Sequence, residues 1–137
     1  MSWKKAILGL FSFEGFSKPY RIDLTSGKSY EDKQKEQGVF KYDPEGFSIQ
    51  FEDFFAQVKW QGIAQINVYK RDLMTIDRIE MEIVYGDKSI TISEDLPGWY
   101  QFNLRLESAL PLISKDWYWE VVQPAFAANW RTIYERH

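Results

Sequence analysis

The chain has 137 residues, no cysteine and one histidine, His137, and its 17 basic and 20 acidic residues give a net charge of −3. A chain of this length fits one domain. The lack of cysteine excludes disulfides, thiolate nucleophiles and cysteine-ligated zinc, and a single histidine at the last position excludes a histidine-based triad in the folded body. The mild acidity argues against nucleic-acid binding, which depends on basic residues that neutralise phosphates.

The first 38 residues differ from the rest, and we predict an N-terminal helical extension (residues 1–38) packed on a single domain (residues 39–137). A short amphipathic helix is predicted near its start, either docked on the domain or lying at a membrane surface. Its helical spacing is carried by Trp3, Ile7, Leu10 and Phe11. The polar stretch 29–37 predicts a second helix with Gly38 as its C-cap. Because the apolar run 6–11 is short and lacks a small-residue cleavage site, we expect a cytoplasmic protein.

Between Val39 and Ser93 apolar and polar residues alternate, which predicts half-buried strands. The connections are short, so the strands are expected to pair as antiparallel hairpins in one meandering sheet of six or seven strands with one wet face. Alternation places Glu80 and Glu82 on the wet face, where we expect solvated side chains rather than a catalytic carboxylate pair. The predicted apolar face includes Phe47, Ile49, Phe51, Ala56, Val58, Ile66, Val68, Ile79, Met81, Ile83, Ile90 and Ile92.

Two amphipathic helices are predicted after the strands, which makes the fold class α+β. Asp95 is expected to cap the first helix, with Pro97 in its first turn and Pro111 at its end. Ser114 is expected to cap the second helix, which runs to the end of the chain with a kink at Pro124. The predicted buried stripes are Trp99, Phe102, Leu106, Ala109 and Leu110 in the first helix and Trp119, Val122, Phe126, Trp130 and Ile133 in the second.

Four short segments, taken with the order of hairpin strands followed by a helix, resemble a known family. They are Gly46-Phe47-Ser48-Ile49, Val58-Lys59-Trp60-Gln61-Gly62-Ile63, Ile90-Thr91-Ile92 and Trp99-Tyr100-Gln101-Phe102. Over about residues 39–110 the chain resembles the pleckstrin-homology-like (PH-like) superfold in its bacterial form. The resemblance implies a partly open barrel of antiparallel strands with a C-terminal helix, and a binding or scaffolding module rather than an enzyme. Lipid-binding members carry a basic cluster between the first strands, whereas the connection here is the acidic and aromatic stretch 52–55, so the resemblance favours protein binding over phosphoinositide recognition.

Aromatic residues make up 18% of the chain, and their excess suggests a binding surface. Trp117, Tyr118 and Trp119 are successive residues of a predicted helix and point about 100° apart, so they cannot all enter one core. Core packing is the alternative for most of the aromatic side chains. The predicted interaction surface comprises Phe54, Phe55, Trp117, Tyr118, Trp119 and Trp130.

A mixed-charge corner is predicted around residues 70–78, and it is a candidate site for an anionic group. The side chains that would form it are Lys59, Lys70, Arg71 and Arg78. The alternative is a solvated turn whose apolar residues cover the core.

With no catalytic group assembled by any pattern, we predict a non-catalytic binding module without cofactor or metal. Its partner is expected to be another protein or a second copy of the chain. Two alternatives stay open. One is a small acidic protein of the inhibitor or immunity type. The other is a ligand carrier or enzyme with a pocket under the curved sheet, using Tyr42, Tyr69, Tyr85 and glutamate residues.

Overall fold

The computed structural model describes residues 30–72, 77–123 and 128–136. The predicted first helix, and all of the predicted extension before residue 30, lie outside the described residues. The described elements, in order, are α1 (Tyr30–Lys35), β1 (Phe40–Asp43), β2 (Gly46–Phe51), β3 (Phe54–Lys59), a 3₁₀ turn (Trp60–Gly62), β4 (Ile63–Asp72), β5 (Asp77–Tyr85), β6 (Lys88–Ser93), α2 (Trp99–Ala109), α3 (Trp117–Val122) and β7 (Arg131–Glu135). Antiparallel sheet with a few helices is in line with the predicted α+β class.

The strands form two sheets, so the prediction of one continuous meander is wrong. The smaller sheet has the order β1-β2-β3 and the larger has the order β6-β5-β4-β7, with antiparallel pairing throughout. The division falls at the 3₁₀ turn Trp60–Gly62, which redirects the chain after β3. The backbone N–H of Trp60 donates to the carbonyl of Glu45 at 2.9 Å and fixes this turn against the β1–β2 connection.

The two sheets and α2 share one apolar core. Predicted apolar-face residues such as Ile66 and Ile83 are fully buried in it. Helix α2 contributes Phe102, whose ring centroid lies 4.7 Å from that of Phe40 and 4.8 Å from that of Phe47. The predicted stripe of the first C-terminal helix therefore packs as expected, with Trp99, Phe102 and Leu106 buried.

The N-cap of α2 is Gly98, not Asp95. Gly98 has φ of +95°, in the left-handed region, and makes no side-chain cap. Oδ2 of Asp95 instead accepts a hydrogen bond from Nη1 of the buried Arg78 at 3.4 Å. The predicted capping interaction was displaced by a long-range ion pair that local sequence does not reveal.

The prediction of a long final helix is also wrong, because α3 ends at Val122 and the chain finishes in a strand. Gln123 is extended, with φ of −106° and ψ of 145°, as expected for a residue that precedes proline. Strand β7 then pairs antiparallel with β4, and its β-branched and aromatic residues 132–134 favour that conformation. Phe126 of the predicted stripe lies outside the described residues.

Candidate functional site

A groove of about 460 Å³ lies between α2 and α3 and is lined mainly by aromatic side chains. We call it the aromatic groove. Its principal lining residues are Trp99, Tyr100, Leu104, Trp117, Tyr118 and Trp119. Three of the six residues predicted to form an interaction surface therefore come together here.

The three successive aromatic residues at the start of α3 point in three directions, as the helical rotation requires. Trp117 is 3% exposed and packs edge-on against Trp99 with ring centroids 6.5 Å apart, so it belongs to the core and lends the groove only its edge. Tyr118 is half-buried and forms a wall. Trp119 is 67% exposed and stands at the rim, edge-on to Tyr118 with centroids 5.6 Å apart.

Polar groups are set into the apolar walls of the groove. Burial raises the pKa of Glu107, although a hydrogen bond from Trp117 and the charge of Lys115 oppose this shift. The Nδ2 of Asn103 donates to the carbonyl of Trp99 at 2.9 Å, while its Oδ1 is buried without a hydrogen-bond partner. Oδ1 of Asn103 is therefore a buried acceptor to which none of the described residues donates.

Tyr118 is anchored to a second buried carboxyl. Its hydroxyl donates to Oε2 of Glu94 at 3.3 Å, and Oε1 of Glu94 accepts from the backbone N–H of Ile79 at 2.9 Å. Burial raises the pKa of Tyr118, and burial also raises the pKa of Glu94. These bonds tie the wall of the groove to strand β5.

Helix α3 has only six residues, and a side chain from outside the helix holds its C-terminal end. The Nδ2 of Asn129 lies 2.6 Å from the carbonyl oxygen of Glu120, 3.1 Å from that of Val121 and 2.6 Å from that of Gln123. Asn129 has φ of +48°, a conformation that asparagine tolerates better than most residues. One amide thereby satisfies carbonyls that the helix end leaves open.

Leu104 adds exposed apolar surface to the aromatic groove, and Leu112 is an exposed apolar residue outside the lining of this groove. Leu104 is 47% exposed on the groove wall, and Leu112 is 85% exposed in the connection between α2 and α3. Sequence reasoning missed both, because it assigned only the buried stripe of α2. The i, i+4 pair Tyr100 and Leu104 was the available indication of a second apolar face.

The other predicted aromatic surface residues lie elsewhere and do not line the aromatic groove. Phe54 is half-buried, and Phe55 is 60% exposed, both at the start of β3. Trp130 is stacked on Tyr69, with ring planes 9° apart and centroids separated by 5.0 Å. These side chains form two separate patches.

The four cations of the predicted anion corner do not converge. Lys59 belongs to the smaller sheet and lies 3.9 Å from Glu45, with both side chains largely exposed. Lys70 is buried, donates to the carbonyl of Val122 at 2.7 Å and pairs with Asp77 at 3.4 Å. Because strand residues alternate, Lys70 and its neighbour Arg71 point to opposite faces of the larger sheet.

Arg71 and Arg78 lie on the polar face of the larger sheet, where each is paired with Glu80. Nη2 of Arg78 lies 2.7 Å from Glu80, and Nη1 of Arg71 lies 3.6 Å from it. Glu80 and Glu82 are 3% and 8% exposed, so the expectation that both are solvated is wrong. Arginine neighbours and hydrogen bonds from Tyr69 and Asn67 allow the carboxylates to be buried.

Within the described ranges, no group of three or more histidine, aspartate or glutamate side chains is placed to hold a metal ion. In the same part of the chain, each helix falls short of the length and apolar character needed to cross a bilayer. Comparison with family models, with curated proteins and with solved structures finds no match to this chain.

Proposed function

We propose that this chain is a non-catalytic protein-binding module that holds an apolar segment of another protein in the aromatic groove. The observation that carries the proposal is the exposure of Trp119 and Leu104 on the same groove. Exposed tryptophan beside aliphatic surface is the composition that recurs at the centres of protein interfaces. Burying one such side chain contributes about 1.5–3 kcal/mol, which gives a partner a strong reason to cover it.

The charges around the groove favour a partner segment that carries a basic residue. Glu107 lies in the groove wall, Asp116 is exposed just before α3 and Glu120 is exposed on α3, whereas Lys115 is the cation among the described lining residues. A lysine or arginine beside the apolar residue of the partner complements this excess of carboxylates.

The proposed scaffold is a PH-like barrel. Support comes from two antiparallel sheets that share a core, with α2 packed against the smaller sheet through Phe102. A binding module of this kind requires no chemistry of its own, and the sequence without cysteine suits the reducing cytoplasm in which we place it. In this proposal the scaffold positions α2 and α3, and the groove between them provides specificity.

The proposal is tested with two matched variants, Trp119→Ala in the groove and Phe55→Ala on the smaller sheet. Both variants remove an exposed aromatic side chain, 67% exposed for Trp119 and 60% exposed for Phe55. Their effects on stability and on nonspecific hydrophobic binding should therefore match. Proteins that cross-link to the wild-type chain in its native cells are identified, and the affinity of each purified candidate is measured by calorimetry. A true partner binds Phe55→Ala like the wild type and Trp119→Ala at least tenfold more weakly.

Charge and self-association are tested on the same samples. Glu120→Lys should lower the affinity for the partner several-fold, and this loss of affinity should become smaller as the salt concentration rises. Light scattering of the wild type and of the Trp119→Ala, Phe55→Ala and Glu120→Lys variants reports whether a second copy of the chain occupies the groove. A partner, or a dimer, that is indifferent to both Trp119→Ala and Glu120→Lys would refute the proposal.

A further inference from the structure

A second cleft, of about 560 Å³, lies against a different side of α2, between that helix and the smaller sheet. Its lining includes Tyr42, Trp60 and Arg105, and it shares no lining residue with the aromatic groove. We call it the Tyr42–Arg105 cleft. Its volume lies within the range of small-molecule sites.

Two side chains in this cleft have hydrogen-bonding capacity that the described protein does not use. The guanidinium carbon of Arg105 lies 4.6 Å from the centroid of the Tyr42 ring, and Arg105 pairs with no carboxylate among the described residues. The hydroxyl of Tyr42 is buried, and no described residue forms a hydrogen bond with it. Leaving a buried hydroxyl unpaired is costly, so a structure with no use for it would favour phenylalanine.

We propose that the Tyr42–Arg105 cleft binds a ligand through a single carboxylate, held by the guanidinium of Arg105 and the hydroxyl of Tyr42. The planar guanidinium fork matches a carboxylate, with two parallel N–H donors. Arg105 is exposed, so its side chain can turn towards the ligand. Because the hydroxyl of Tyr42 is buried while Arg105 lies over the ring, this turn has to precede contact between the ligand and the hydroxyl. Burial keeps the Tyr42 hydroxyl protonated, because it raises the pKa of Tyr42 more than the charge of Arg105 lowers it.

The remaining charges select a monoanion over a phosphate. Asp43 and Glu45 line the same cleft as Lys59 and Arg105, so the cleft has no net positive charge with which to hold a dianion. Asp43 is fixed in place, because its Oδ1 accepts from the backbone N–H of Glu45 at 2.7 Å and of Gly46 at 2.9 Å. Its negative charge therefore stays near the ligand.

The body of the ligand is expected to be apolar and of amino-acid size. Trp60 presents a half-buried ring, which packs on Phe47 with centroids 5.0 Å apart, and Pro44 faces the same space. An apolar group on the carboxylate would cover these two surfaces. A free organic acid and the C-terminal residue of a peptide both offer this chemistry.

The test is a nuclear magnetic resonance titration of the ¹⁵N-labelled full chain, with the indole N–H of Trp60 as reporter. The probes are N-acetyl-L-phenylalanine, its neutral amide and inorganic phosphate. The acid should give a saturable shift, and the amide and phosphate should bind at least tenfold more weakly. An N-acetylated tripeptide ending in phenylalanine distinguishes the sources: tighter binding than the single residue indicates a chain terminus, and equal binding indicates a small acid.

Variants separate a ligand site from a structural contact. Arg105→Gln should lower the affinity for the acid at least tenfold. Arg131 is an exposed arginine on β7, and Arg131→Gln should bind the acid like the wild type. Tyr42→Phe should weaken binding several-fold while unfolding in urea at an equal or higher concentration, since the lost hydroxyl had no partner. The proposal fails if the acid gives no saturable shift, if both cleft variants retain native spectra and wild-type affinity, or if Tyr42→Phe costs stability and leaves binding unchanged.

Discussion

Gly38 and Gly98 meet where the chain enters β1 and where α2 begins, and alanine at either position is expected to destabilise the fold. Gly38 has φ of +61°, and a Cβ built there lies 1.9 Å from the carbonyl oxygen of Pro97. Gly98 has φ of +95°, and its Cβ would lie 2.3 Å from the carbonyl oxygen of Gln37. In both cases the obstacle is backbone, which has no rotamer to change.

The cost of Gly38→Ala has two parts. A left-handed conformation costs an alanine roughly 1–2 kcal/mol. Overpacking typically adds about 1–3 kcal/mol, and here the displaced carbonyl of Pro97 also accepts from the backbone N–H of Val39 at 3.2 Å. The expected loss is therefore roughly 2–5 kcal/mol, a large share of the roughly 5–15 kcal/mol that stabilises a typical domain.

Gly86→Ala is the matched control, because Gly86 has φ of +60° and no heavy atom lies within 4 Å of its added Cβ. It should lose only the conformational part, roughly 1–2 kcal/mol. Urea unfolding of both variants, followed by tryptophan fluorescence and far-ultraviolet circular dichroism, measures the difference. Equal losses for the two variants would refute the close approach of Gly38 to Pro97.

Three further predictions concern the C-terminal cap and the buried carboxyl groups. Asn129→Gly keeps the positive φ but removes the side-chain amide that caps the end of α3. Urea unfolding should therefore show a loss of about 1–3 kcal/mol in stability, and the near-ultraviolet circular dichroism of the aromatic groove should change. An unchanged midpoint of urea unfolding would contradict the capping role. Burial raises the pKa of Glu94, so the folded chain holds this proton more tightly than the unfolded chain, and stability falls as pH rises from the ordinary carboxyl range through the raised pKa. Glu94→Gln removes that loss, so its stability relative to wild type should increase across this window, and a difference that does not vary with pH would oppose the argument. Arg78→Leu removes a buried cation from two buried carboxylates, Glu80 and Asp95, and should cost about 3–5 kcal/mol in the same unfolding assay. A much smaller loss is expected for Arg71→Leu, whose side chain is 46% exposed, and similar losses would mean that burial does not distinguish the two arginines.

The strands could be predicted from the sequence because alternation and short turns are local properties. Ile66 lies between the polar residues Gln65 and Asn67 and is fully buried, as that pattern predicts. The division into two sheets could not be predicted in the same way, because the short turn Trp60–Gly62 carries no period of its own. Which strand pairs with β4 depends on contacts across the whole chain, including β7 near its end.

The burial of Glu80 shows a different limit of the pattern. Alternation correctly places Arg78 and Glu80 on the same face of β5, two residues apart, and this is the arrangement that lets them pair at 2.7 Å. The face was nevertheless expected to be wet, because a charged strand face usually is. The two-residue period does not show whether the carboxylates and arginines on neighbouring strands can pair with one another once they are buried.

Helix α2 explains why the sequence revealed the core-facing side of this helix and not the residues that it contributes to the two clefts. The predicted amphipathic stripe identified its core side, represented by Phe102 between the rings of Phe40 and Phe47. The remaining residues were treated as solvent-facing, yet Leu104 lines the aromatic groove and its neighbour Arg105 lines the Tyr42–Arg105 cleft. A helix packed between two clefts has three distinct sides, and hydrophobic periodicity distinguishes only two. Because the clefts share the helix but no side chain, substitutions in one should leave the other intact, whereas a cavity at Phe102 should loosen both.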